Sequence, residues 1–135
     1  MTADLKPVRQ SMNKMASDVL AAAQIDFDQE SQLNQALVGT FVFGMISAAG
    51  TQKKLQPPEV HALALSVYID TFHYTEQAAA EGTQNCIMAT RPGYHDTMHA
   101  ILHRGIDGHR QYEKGDLLGV SRNLLSILDQ FKNEG

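Results

Sequence analysis

The feature that most restricts the fold of this chain is the uncharged run from Ser31 to Gln52. Leu33, Leu37 and Phe41 form one stripe at helical spacing, and Val38, Val42, Phe43, Met45 and Ile46 fill the other sides. A helix that is apolar all round has no face for water, so it belongs inside a bundle or in a membrane. Its most apolar part, Ala36 to Gly50, is 15 residues with Thr40 and Ser47 inside. Crossing a bilayer takes roughly 20, so the run is expected to be a buried central helix, with no membrane partner. Gly39 and Gly44 would let neighbouring helices come close to it, although each lowers helix propensity.

The rest of the chain also reads as helix. Val8, Met12, Met15 and Val19 step by four, three and four residues, and Pro7 is tolerated in a first turn, so the first helix is expected over about 7–24. Ile25 to Glu30 is too acidic and too brief for a strand and reads as a turn, with Ser31 capping the next helix. Pro57-Pro58-Glu59 marks another helix start. Val60, Leu63, Val67 and Thr71, flanked by Leu65, Ile69 and Phe72, give that helix a wide apolar face. Its pattern runs to about Glu81, where Gly82 is expected to stop or kink it before a short resumption from Thr83 to Ala89. Arg91-Pro92-Gly93 then forces a break. Beyond it Tyr94, Met98, Ile101, Gly105, Gly108 and Tyr112 align, and Asp116 caps a last amphipathic helix through Leu117, Val120, Leu124, Leu128 and Phe131. No alternation of period two occurs. The expected fold is all-α: a single-domain helical bundle of five to six helices, residues 1–135, around a buried apolar central helix.

Charge and cysteine content narrow the function classes. Eleven basic and fifteen acidic residues leave a net charge of -4, and the longest basic cluster is Lys53-Lys54, so nucleic acid is not an expected partner. Cys86 is the lone cysteine, which rules out an internal disulfide and fits a reducing compartment. The opening Met1 to Pro7 has no apolar stretch of a secretory signal, and the expected location is cytoplasmic.

Three constellations bear on chemistry. His95, His99 and His103 recur every four residues, with Asp96 beside the first, and two imidazoles one turn apart can clasp a zinc, copper or nickel ion. His95, Asp96 and His99 are therefore the candidate metal ligands. Three such imidazoles climb about 12 Å along a helix, too far for all to reach one ion comfortably. No His-Glu-x-x-His motif is present. The doublet His95-Asp96 resembles that of helical metal-dependent phosphohydrolases, a likeness that implies His61 or His73 as an upstream ligand and Asp107 or Asp129 as a later one. Cys86 lies among apolar residues away from any local base and reads as a small core residue. The stretch Tyr112 to Asp116 is similar to the turn of tetratricopeptide-type helix pairs, but only one copy exists, which supports a helical hairpin and no repeat array.

The Pro-Pro-started helix Pro57 to Phe72 and the segment Gly105-Ile106-Asp107-Gly108-His109-Arg110-Gln111-Tyr112, in a short acidic helical chain, resemble small helical immunity proteins of bacterial toxin systems. The likeness spans the C-terminal two-thirds of the chain. It implies a protein that binds and neutralises a toxin delivered by contact-dependent or type VI secretion. With no secretory signal, that toxin would act in the cytoplasm, for example as a nuclease or an enzyme attacking nucleotides. Such an inhibitor needs a rigid surface with aromatic anchors and complementary charge, and no cofactor. The candidate contacts are the acidic turn Asp26, Asp28 and Glu30 and the rim Tyr94, His95 and His99. The first expectation is a non-enzymatic binder of a cognate toxin. The alternatives are a small metal-dependent hydrolase or metal-binding protein, and a helical adaptor forming a homodimer through an apolar face.

Overall fold

The helices of this chain begin at a side chain that accepts a first-turn N–H or at a proline, which has no N–H to satisfy. A computed structural model describes residues 5–132. Among these residues it has six α-helices, one 3-10 turn and no strand. The helices are α1 (Lys6–Ala22), α2 (Gln32–Gln52), α3 (Pro57–Asp70), α4 (Glu76–Ala89), α5 (Asp96–Glu113) and α6 (Leu117–Gln130), and the 3-10 turn is Phe27–Gln29. Ser31, Thr75, His95 and Asp116 each accept a hydrogen bond from the backbone N–H three residues on, at 3.1, 3.1, 3.2 and 2.9 Å. These caps relieve donors that a helix start leaves unpaired. At α3 the carboxylate of Glu59 instead accepts from the Gln56 N–H at 2.8 Å.

Helix ends follow an equally local rule. Gln24, Lys54, His73 and Gly115 take positive φ just past α1, α2, α3 and α5. The next N–H then reaches back to an orphan carbonyl, as Ile25 does to Leu20, Leu55 to Gly50 and Asp116 to Gln111, each at 2.9 Å.

The helix expected to run from Pro57 to about Glu81 ends at Asp70. What breaks it is an aromatic cluster. Phe72 stacks on Phe27, with ring centroids 4.3 Å apart, while Tyr74 packs against Phe27, Tyr68 and Phe72. The backbone turns left-handed at His73 to place both rings, and Thr75 starts α4 anew. Gly82 therefore does not stop a helix. It lies inside α4, where a Cβ would come within 3.3 Å of the Tyr68 ring. Three further expectations shift. Tyr94 precedes α5 and is half exposed, and Ile69 and Leu117, placed on apolar faces by periodicity, are 37% and 39% exposed.

Helix α2 is central, as its composition demands: every residue from Leu37 to Ile46 is buried. By length and composition alone it could cross a bilayer, yet 67% of its most apolar window is buried inside the fold. It packs most extensively on α5 and also touches α3, α4 and α6. At the α2–α5 crossing Gly44 meets Gly105, and a Cβ on either would collide with the other helix's backbone, at the carbonyl of Leu102 or of Phe41. Gly39 acts differently, since its carbonyl accepts the buried Tyr68 hydroxyl at 2.8 Å. Ion pairs and hydrogen bonds tie the outer helices on: Arg9 of α1 to Asp70 of α3 at 2.8 Å, Tyr112 of α5 to Asp18 of α1 at 2.8 Å, and Arg104 of α5 to Asn123 of α6 at 2.7 Å.

Candidate partner-binding surface

The six candidate contact residues fall into two groups. Asp26, just before the 3-10 turn, and Asp28, on it, are exposed, and the turn is held down by buried Phe27. Asp28 lies 3.6 Å from His73, and both flank a groove of about 510 Å³ that Leu20 and Thr71 help to line. Glu30 is half-buried and accepts from the Asn34 amide at 2.8 Å, so its carboxylate is partly spent on the start of α2. Tyr94 and His95 are exposed in the loop between α4 and α5, and His99 is half-buried on the first turn of α5.

Helix α4 separates the groups. His73 precedes it, and the carbonyl of Ala89 at its last residue lies 2.9 Å from His99 Nδ1. Fourteen residues of helix rise about 20 Å. One patch therefore carries acid and a groove, and the other, at the far end of α4, carries an aromatic ring and imidazoles.

The candidate metal set is not assembled. His95 leaves the helical stripe to become the α5 cap, its Nδ1 accepting from the Met98 N–H at 3.2 Å. Among the described residues no group of three or more His, Cys, Asp and Glu could hold an ion. The ligands implied by the phosphohydrolase likeness are dispersed. His73 faces Asp28, Asp107 faces Arg110 at 3.5 Å, Asp129 faces Lys132 at 3.1 Å, and His61 lines a separate groove. Cys86 is buried, with its thiol 3.4 Å from the Tyr68 hydroxyl, and burial raises the pKa of both groups. A thiol kept protonated is a poor nucleophile.

Sequence reasoning missed other surface features. A groove of about 580 Å³ runs between α2, α3 and α4, with Phe43, Leu55, Val60 and Ile87 among its walls. Such a groove needs three helices in place and leaves no one-dimensional signal. Leu118 and Leu125 are exposed on α6, at 60% and 41%. Their seven-residue spacing off the Val120–Leu124–Leu128 stripe was the available clue. His109 is buried beside Glu113, with Nε2 to Oε1 at 3.2 Å, and desolvation lowers its pKa against the pull of that carboxylate.

No curated protein and no solved structure matches the chain. A family model described as immunity protein 48 does match, over residues 8–132, from the first turn of α1 to the residues after α6. The match takes in every helix of the bundle, and the chain belongs to the immunity protein 48 family.

Proposed function

We propose that this protein binds a cognate bacterial toxin in the cytoplasm and neutralises it by occupying its surface, without catalysis. Membership of the immunity protein 48 family carries this reading, because an immunity protein acts through a protein partner. The two patches at the ends of α4 support it. Asp26 and Asp28 offer charge to a basic partner and speed encounter, and Tyr94 offers an aromatic ring of the kind that dominates binding energy once buried. His95, His99 and Glu30 complete the proposed contacts. A standard interface of about 800 Å² on each partner is wide enough to span both ends of a helix this long.

The test is co-expression with the toxin encoded beside the gene, scored by survival, and binding of the purified pair by calorimetry. Protection by the wild type, and affinity weakened at least about tenfold by Tyr94→Ala or Asp28→Arg, is the expected result. Failure to bind or protect against any neighbouring toxin overturns the reading.

A further inference from the structure

The first turns of α5 hold a pair of imidazoles in an arrangement that the helical stripe alone does not specify. His99 Nδ1 lies 2.9 Å from the carbonyl oxygen of Ala89. A carbonyl only accepts, so Nδ1 carries a proton, and in the neutral ring Nε2 of His99 presents a lone pair. That lone pair faces Nε2 of His103, 3.2 Å away, and the two rings meet edge to face with centroids 4.6 Å apart. His103 is exposed and its Nε2–H donates to His99 Nε2.

The spacing suits two nitrogen ligands on one ion. Nitrogens bound at 2.0–2.1 Å to a tetrahedral centre stand roughly 3.3 Å apart, close to the 3.2 Å between the two Nε2 atoms. Binding asks that the His103 proton move from Nε2 to Nδ1, where water can accept its hydrogen bond, and that the exposed His103 ring turn until both Nε2 lone pairs aim at the ion instead of at each other. The backbone carbonyl on His99 Nδ1 is the usual second partner of a metal-ligating histidine, fixing both tautomer and ring orientation. Ala89 is the last residue of α4, so the negative end of that helix dipole also points at the position.

We propose that His99 and His103 form an open, two-nitrogen site for a borderline divalent cation: zinc, nickel or copper(II). Magnesium and calcium prefer oxygen ligands and are excluded by this donor set. Among the described residues no third His, Cys, Asp or Glu completes the site, which leaves the remaining coordination positions to water or to a side chain of a second protein. The pair differs from the His95, Asp96 and His99 set read from the sequence, because His95 Nδ1 is engaged by the Met98 N–H. The proposal stands independently of toxin binding.

The experiment uses tag-free, chelator-stripped protein titrated with Zn²⁺, Ni²⁺ and Cu²⁺ by calorimetry, with electron paramagnetic resonance of the Cu²⁺ form. One equivalent is expected to bind at this site, with two nitrogen donors in the copper spectrum. His99→Ala and His103→Ala should each weaken binding at least about tenfold, while His73→Ala, at the other end of α4, leaves it unchanged. His103 is exposed, and among the described residues its side chain bonds only to His99, so its variant keeps the wild-type helical circular dichroism. Absence of saturable binding for all three ions, or binding that His103→Ala does not weaken, overturns the proposal.

Discussion

Tyr112 joins α5 to α1 through a hydrogen bond as well as through packing. Loss of water raises the pKa of its hydroxyl first, and the bond to Asp18 adds to this, taking it to about 12. Lys14 in turn holds the Asp18 carboxyl below its ordinary value. Spectrophotometric titration should therefore find Tyr112 among the late-ionising tyrosines, near pH 12, and Tyr112→Phe should remove one tyrosine's share of that signal while Tyr68 and Tyr74, both raised by burial, keep theirs. The same substitution should lower the unfolding free energy by about 1 kcal/mol in urea melts, since Lys14 still pairs Asp18. Lys54 offers the opposite kind of change. It is exposed and held at φ 60° past α2, a conformation costing a non-glycine residue about 1–2 kcal/mol. Glycine relieves that strain at a smaller entropic cost, so Lys54→Gly should raise stability by roughly 0.5 kcal/mol. Caps such as Ser31 and Asp116 were legible in the sequence because donor and acceptor lie three residues apart. The Tyr112–Asp18 pair, 94 residues apart, was not.

The helices owe their arrangement to where side chains are missing. Gly39 and Gly44 look alike in the sequence, both small residues in an apolar helix, yet only Gly44 faces another backbone. Gly105→Ala would drive a Cβ into the Phe41 carbonyl, which cannot yield as a flexible side chain does. Urea denaturation should show a loss of about 3 kcal/mol or more for it. Gly39→Ala should stay within about 1 kcal/mol of wild type, because its Cβ would stand 3.5 Å from Tyr68 Oη, an ordinary contact, and alanine favours helix. The α3–α4 break was hidden for a related reason. Thr71 to Thr75 contains neither glycine nor proline, and the turn exists to bring Phe72 and Tyr74 onto Phe27. Periodicity, which is blind to such contacts, ran the helix on.

Stability of the whole bundle should fall on the acid side in two stages. Burial lowers the pKa of His109, so the unfolded chain binds its proton more readily than the folded one. The resulting stabilisation is complete above the unfolded histidine value of about 6.5 and is lost as pH falls through the lower folded value. Asp70, held low first by its hydrogen bond from Arg9, and Asp18, held low first by Lys14, add stability above the unfolded carboxyl value of about 4. That part is lost at still lower pH as each folded carboxyl protonates. Urea midpoints measured from pH 8 to 3 should therefore decline first just below 6.5, and His109→Gln should flatten that first decline alone. At this scale the candidate contacts also separate. Their residue types could be chosen from the sequence, but the length of α4 places them at two ends of one helix.

Chain-local chemistry was enough for the helical class, the central place of α2, the breaks at Pro57 and at Arg91-Pro92-Gly93, and the capping roles of Ser31 and Asp116. Each depends on residues within a few positions of one another, where backbone geometry leaves few options. Packing in three dimensions chose which glycines touch, where α3 stops, which leucines face water and which imidazoles meet. Those outcomes depend on contacts between residues tens of positions apart, and hydrophobic burial, being non-directional, admits many arrangements until side chains interlock.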